Sequence, residues 1–369
     1  MPSRTPGMIV ALVVMLVLAA CGGSDDTASG GDATEPDVVG AVDGDEPLEL
    51  SFIFPNDGKP GIIFYPYFVA EELGFFEEEN LTMTPVPSDG SSAAVQQMVA
   101  GQADIGTPFS AAVLEAFVED LDTRYVYTYS TGQNFGISVL GDSGIETIED
   151  LEGKTIGISE ADGGEVAVLN AAFINAGLDP ETAVDLIPIG EGNPATLAAI
   201  ENGEVDAYAS SGGDMLLLRA RGLDLNDITP DEFKSFPAHG LSTTAEVLEE
   251  KGEAIARLGR AYAKATLFCQ TNRDACESIM KKLSPAEFEE EVLGQTEMKR
   301  LLDITVVEDG ADIGAHNREA WDSYNDFRVL TEEGAELADL DTFLVDDHVE
   351  AYNDFDHDAV IELAENYSE

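Results

Sequence analysis

The residues of this 369-residue chain that could do chemistry are hydrogen-bonding groups set in glycine-rich turns. Asp89, Ser91 and Ser92 sit in the run Pro87-Ser88-Asp89-Gly90-Ser91-Ser92, and Glu160, Asp162 and Gly163 in Ser159-Glu160-Ala161-Asp162-Gly163-Gly164. Asp214 follows Ser210-Ser211-Gly212-Gly213, while Asn56 and Asp57 open a fourth turn that ends at Lys59-Pro60-Gly61. Thr107, Phe109 and Ser110 form a small turn of their own, and Asn134 stands in a further polar loop. Carboxylates and hydroxyls in this number accept from the N–H donors of an amine or amino-heterocycle, and aromatics such as Tyr65 and Phe109 can stack on its ring. A nitrate or sulfonate site would more naturally offer Arg or Lys, although helix N-termini alone can hold an anion. Each acid serves equally as a helix cap or a solvated surface group, and Tyr65 and Phe109 serve equally as core.

Catalysis and metal binding find little support. His239, His316, His348 and His357 are dispersed, with no helical pair around an acid. No nucleophile elbow or phosphate loop occurs. Asp354-x-Asp356-x-Asp358 with Glu365 mimics part of a calcium loop, but Ala359 stands where the turn needs glycine, so a helix cap at Asp356 or Asp358 accounts for it. No cofactor is expected.

The elements that must carry these turns repeat. From Pro85 to Ser110 the chain reads as a strand end, a Gly/Ser loop, a short helix, a closing Gly101 and a buried strand Ala103-Asp104-Ile105-Gly106. Ser88 or Ser91 can cap that helix, and Val95, Met98 and Val99 mark its buried stripe. Gly192 to Gly212 has the same grammar, with Gly203 closing the helix and Val205-Asp206-Ala207 leading the strand. The echo extends upstream, where Val69–Phe75 and the strand to Pro87 match Leu169–Leu178 and the strand to Pro188. Two α/β lobes facing one cleft explain the repeat, because open sheets bind ligands where strands end and helices begin.

Met8 to Ala20 is an apolar run too short to span a bilayer and suited to a signal-peptide core. It stops at Leu18-Ala19-Ala20-Cys21, which resembles a bacterial lipobox with Cys21 as the lipidated residue. Gly22 to Pro47 is nearly free of large apolar residues and reads as a flexible tether. The balance of 18 basic against 73 acidic residues, a net −55, argues against nucleic-acid or anionic-surface partners. With 44% apolar residues the chain still has the means to build a core. Cys269 and Cys276 would stand about 10 Å apart on one continuous helix, too far to bond. A helix stop at Gln270–Asp274 with a new cap at Thr271 or Asn272 brings the thiols together, so a disulfide is expected.

Leu48–Phe54 reads as the first strand, Ile62–Leu73 as an apolar loop and helix, and Thr123–Ser130 and Gly136–Leu140 as strands. A one-turn helix at Thr147–Leu151 feeds a strand ending at Ile158. Beyond Thr243 helical patterns take over, at Ala245–Gln270, Ala275–Leu283, Pro285–Leu302, Gly314–Leu330 and Asp358–Tyr367. They are expected to pack back onto the first lobe, with lobe crossings near Gln133–Gly136 and Phe236–Gly240.

Gly74-Phe75-Phe76-Glu77, Pro87-Ser88-Asp89-Gly90-Ser91, Gly101-Gln102-Ala103-Asp104-Ile105-Gly106 and Asp150-Leu151-Glu152-Gly153-Lys154-Thr155 together resemble type II solute-binding proteins. The similar branch serves ABC importers of nitrate, sulfonates, taurine, thiamine pyrimidine precursors and riboflavin. Phe54-Pro55-Asn56 and Pro87–Ser91 are most similar to the pyrimidine-precursor binders, which often carry a His where this chain has Asp57-Gly58-Lys59. The resemblance implies an α/β, two-lobed periplasmic-binding-protein-like fold of type II, each lobe a sheet flanked by helices. Its organisation would be a signal peptide at 1–20, a tether at 21–47, lobe 1 at 48–135 and 239–369, and lobe 2 at 136–238. It implies a lipid-anchored, extracytoplasmic, monomeric binder of a small molecule that works with a membrane ABC permease and is not an enzyme. A sulfonate, taurine or nitrate binder of the same fold, an exported enzyme and a sensory domain are the alternatives.

Overall fold

The computed structural model describes residues 46–132, 135–159, 165–305, 312–331 and 334–368. The apolar leader, Cys21 and the tether lie outside the described residues, as do Asn134, Glu160, Asp162 and Gly163.

The chain starts with β1 (Leu48–Phe54), a 3-10 turn at Ile62–Phe64, α1 (Tyr65–Glu72), α2 (Phe75–Glu78) and β2 (Leu81–Pro87). Next come α3 (Ser91–Val99), β3 (Ile105–Gly106), α4 (Ser110–Val118), β4 (Arg124–Thr131) and β5 (Phe135–Leu140). The second unit continues with β6 (Thr155–Ile158), α5 (Glu165–Asn175), β7 (Asp185–Pro188), α6 (Pro194–Glu201), β8 (Ala207–Ser211) and α7 (Gly212–Ala220). It closes with β9 (Leu225–Asp227) and α8 (Asp231–Lys234), and β10 (Pro237–Thr243) follows. The remainder is helical: α9 (Ala245–Thr271), α10 (Arg273–Leu283), α11 (Glu291–Asp303), α12 (Arg318–Thr331), α13 (Leu340–Phe343), α14 (Val349–Tyr352) and α15 (His357–Asn366).

The described strands form two five-stranded sheets, ordered β2-β1-β3-β10-β4 and β7-β6-β8-β5-β9. In each, three parallel strands precede one antiparallel strand. The repeat reaches single hydrogen bonds. The Asp104 carboxylate accepts from the Ser51 N–H and Oγ, both at 2.7 Å, and the Asp206 carboxylate accepts from the Thr155 N–H at 2.9 Å. Each aspartate thereby ties the central strand, which it leads, to the parallel neighbour, β1 or β6. The helix before each ends at a glycine of positive φ, Gly101 at 70° and Gly203 at 69°, a conformation that disfavours any side chain. Asp104 goes further, taking the Lys251 ammonium of α9 at 2.7 Å.

Several expectations need correction. Gly90, not Ser88 or Ser91, is the N-cap of α3 and offers no side chain; the Ser91 Oγ instead accepts from the Phe109 N–H at 3.0 Å. Pro237–Thr243 is more than a crossing, since β10 is an inner strand between β3 and β4. Small and polar residues buried on both faces leave no alternation to read there. The 285–302 pattern divides into a 3-10 turn at Pro285–Phe288 and α11, and α12 starts only at Arg318.

The C-terminal helices do not all return to the first lobe. α14 and α15 pack on α9, and the three share a core with β1 and α1. α12 spans both lobes. Trp321 packs against Tyr125 and Phe343 in a first-lobe core, while Phe327 meets Phe233 and Phe236 in the core of the second sheet. α11 likewise contacts α7 and the 3-10 turn at Ile62. Cys269 and Cys276 are bonded, with Cα atoms 5.0 Å apart across a turn capped by the Asn272 side chain. Asp356 caps α15 by accepting from the Ala359 N–H at 3.1 Å.

Candidate functional site

The carboxyl ends of the parallel strands bring polar side chains of both lobes to the edges where α/β sheets bind ligands. On the first lobe, β3 ends into Thr107, β4 ends at Thr131, and β10, running the other way, begins at Pro237. Thr107 Oγ1 and the Tyr129 hydroxyl are 3.1 Å apart, and the Ser130 Oγ accepts from the His239 N–H at 3.2 Å. Ser110 donates to the Pro237 carbonyl at 2.5 Å. The Tyr65 hydroxyl lies 2.7 Å from Thr305 Oγ1, which itself donates to the Leu301 carbonyl and so accepts from the phenol.

His239 is the centre of this half. Its ring stands 5.1 Å from Phe109, edge to face, and 6.1 Å from Tyr129, nearly parallel. The ring is half-buried, yet Nδ1 is out of solvent contact and has no hydrogen-bond partner. Burial pushes the imidazole down to about 4, and the Arg300 charge adds to the shift, so the ring is neutral near pH 7. Arg300 is not a free anion hook, because Glu297 holds its guanidinium with bonds of 2.9 and 2.5 Å.

The second lobe contributes carboxylates. The Glu165 side chain, 1% exposed at the start of α5, accepts from the Ser159 N–H at 2.7 Å and from the Ser159 hydroxyl through Oε1. Its Oε2 is buried without a partner. Asp214, in the first turn of α7, accepts from the Ser210 and Ser211 hydroxyls at 2.5 and 2.7 Å, while Ser211 caps the helix by accepting from the Asp214 N–H. Both carboxylates lie near Tyr208, whose phenol is pushed up to about 12 by burial and by their charge. A cavity of about 350 Å³ runs between the lobes, with Ile62 on one side, Ser211, Asp214 and Leu217 on the other, and Leu293 and Glu297 from α11. A larger groove of about 690 Å³ lies at the far end of α4, against Gly334–Asp339 and away from these strand ends.

The sequence-selected residues divide. Thr107, Phe109 and Ser110 gather with His239, and Ser210, Ser211 and Asp214 form the second-lobe edge. Tyr65 is not a stacking surface: it is 1% exposed, within the first-lobe core. Asp57 is an exposed turn residue paired with Lys59, and Asn56 folds onto its own turn by accepting from the Gly58 N–H at 2.9 Å. Asp89 and Ser92 are exposed, and Ser91 fastens α3 to the turn at Phe109. Sequence reasoning missed His239, Tyr129 and Glu165. Glu165 stands one residue beyond the loop it selected, and the unread strand β10 concealed His239.

The sequence matches the model of the NMT1/THI5-like family over residues 62–275, more than half of the chain. The chain belongs to the NMT1/THI5-like family. No curated protein matches it. Among solved structures, this NMT1/THI5-like chain is similar to the periplasmic aliphatic sulphonate binding protein SsuA from Escherichia coli, with 15% identity and a TM-score of 0.60 over 82% of this chain and 92% of that one. It is also similar to a putative sulfonate ABC transporter's periplasmic sulfonate-binding protein SsuA from Methylobacillus flagellatus KT, at 18% identity and a TM-score of 0.61 over 83% and 94%. The desulfurization enzyme DSZB shares the architecture at 18% identity and a TM-score of 0.51, over 83% and 98%. At these identities the likeness establishes the two-lobed periplasmic-binding-protein fold. No helix among the described residues is long and apolar enough to cross a membrane, and none of their His, Cys, Asp and Glu side chains cluster to hold a metal.

Proposed function

We propose that this NMT1/THI5-like protein is the extracytoplasmic solute-binding component of an ABC importer, tethered through a lipid on Cys21. It captures a small, donor-rich N-heterocycle between its lobes, such as a thiamine pyrimidine precursor, and delivers it to a membrane permease. The observation that carries the ligand class is the contrast between the two halves of the cleft. The first lobe offers Phe109 and His239, half-buried rings on which a flat heterocycle can lie, with the buried Tyr129 ring behind His239. The second offers Glu165 and Asp214, carboxylates held by serine hydroxyls. Contacts to both halves exist only when the lobes close, so ligand binding draws the protein toward that state.

An enzymatic role has less behind it. Of three cysteines, Cys21 stands at the head of the tether and Cys269 is bonded to Cys276, which leaves the folded body without a thiol nucleophile. A sulfonate is the second ligand reading, favoured by the SsuA structures.

Native mass spectrometry of freshly purified protein, followed by a thermal-shift panel of aminopyrimidines, amines, sulfonates and nitrate, tests the proposal. A co-purified or stabilising amino-heterocycle supports it. Stabilisation by sulfonates or nitrate alone refutes the heterocycle assignment and leaves the transport role standing.

A further inference from the structure

We propose that Glu165 is the residue that selects the ligand's nitrogen substituent, accepting from an amino or ammonium group through Oε2. The inference deepens the heterocycle reading above and rests on it for the ligand class.

Three features of Glu165 point this way. First, its carboxylate is half satisfied. Oε1 receives both donors of Ser159, whereas Oε2 receives none and is shut away from water. A buried carboxylate oxygen without a donor is costly, and native proteins rarely keep one that nothing ever satisfies. Second, Glu165 opens α5, an 11-residue helix, where the aligned peptide dipoles favour a negative charge. Third, it stands just beyond the carboxyl end of β6, one of the three parallel strands of its sheet, and next to the Ser210–Asp214 edge through their common neighbour Tyr208.

Asp214 is the natural competitor for this role, but both serine hydroxyls bond its Oδ2 and its Oδ1 is not shut away from water, so water satisfies there what nothing satisfies at Glu165 Oε2. No Lys or Arg pairs with Glu165 among the described residues. An incoming N–H therefore meets an acceptor that is fixed in place, oriented by Ser159 and still short of one partner. A sulfonate oxygen at the same point would meet uncompensated negative charge.

The test uses the mature protein and two ligand pairs that differ only in a nitrogen group. One pair is 4-amino-5-hydroxymethyl-2-methylpyrimidine and its analogue without the amino group; the other is taurine and ethanesulfonate. The inference expects the wild type to prefer the nitrogen-bearing member, and Glu165→Gln to weaken that member roughly 10- to 150-fold while erasing the preference. The unliganded Glu165→Gln protein should melt no lower than wild type, because the substitution removes an unpaired buried charge. If Glu165→Gln fails to fold, Ser159→Ala carries the test, since it keeps the carboxylate and removes one of the two donors that orient it; affinity for the nitrogen-bearing member must then fall several-fold. Unchanged affinity in the variant, or a loss of stability with affinity intact, overturns the inference and leaves the proposed function in place. Binding of the taurine pair without the pyrimidine pair refutes the heterocycle reading, and Glu165 then stands or falls on whether Glu165→Gln erases the preference for taurine over ethanesulfonate.

Discussion

Asp104 and Asp206 occupy the same place in the two repeats, yet replacing each with alanine should have unequal consequences. The Asp104 side chain is 17% exposed and takes three donors at 2.7 Å, two from Ser51 and one from Lys251. The two bonds from Ser51 to a charged acceptor contribute about 1.5–3 kcal/mol each, less whatever water recovers at the vacated site. Lys251, 36% exposed, rehydrates when freed, so its ion pair adds only about 0.5–1 kcal/mol. Asp104→Ala should thus destabilise by about 3–4 kcal/mol. Asp206 is 41% exposed, accepts one backbone bond of 2.9 Å and stands 3.9 Å from Lys154, so Asp206→Ala should cost only about 1 kcal/mol. Urea unfolding followed by the fluorescence of Trp321 and by far-UV circular dichroism measures both. With a urea slope of about 3 kcal/mol/M, the midpoint should fall by about 1 M for Asp104→Ala and about 0.3 M for Asp206→Ala. The sign of the pH response checks the mechanism. Burial pushes the Asp104 carboxyl up, but Lys251 and Ser51 outweigh it and hold it below the usual range, so its contribution is present above about pH 4 and is lost as the pH falls further. Equal midpoints for the two variants, or a larger loss at Asp206, would refute the reasoning that burial decides the worth of this bond.

His239 makes a pH prediction of the same sign in a higher window. Its folded pKa of about 4 lies below the unfolded value, so the unfolded chain binds the extra proton and stability declines as the pH falls from about 6.5. His239→Gln should flatten the stability profile between pH 5 and 6.5 relative to wild type, as followed by melting temperature; parallel profiles would contradict this. The net charge of −55 should make the protein salt-hungry, because shortening the Debye length from about 30 Å at 0.01 M to about 3 Å at 1 M relieves self-repulsion. A melting temperature that does not rise over that range of sodium chloride would remove surface repulsion as a factor. Phe327→Ala should detach α12 from the second-sheet core at a cost of about 2 kcal/mol, less than for a fully buried phenylalanine. The native emission of Trp321, held in a first-lobe core, should stay unchanged, and a red-shifted native spectrum would show that α12 moves as one piece.

The sequence by itself determined the repeat. A strand, a glycine loop, a short helix, a second glycine and an aspartate-led strand are local events, set by propensity, capping and the φ that glycine permits. They were legible because each depends on neighbours a few residues away. The helix–turn–helix that joins Cys269 to Cys276 was legible for the same reason, since Asn272 caps its second helix from within the motif. Tertiary structure decided what no local pattern records. β10 has no alternation because both its faces are buried between β3 and β4, so a strand that seats His239 read as a crossing. Trp321 and Phe327, six residues apart, point about 120° from each other around α12, and only the packing of two lobes supplies a core for each. The acids show the same limit. Asp57, Asp214 and Glu165 are alike as carboxylates, and what separates them is which donors the fold brings within reach: a neighbouring lysine, two serine hydroxyls, or a single serine that leaves one oxygen bare and shut away from water. Hydrogen-bond satisfaction depends on distance in space, and separation along the chain does not fix it.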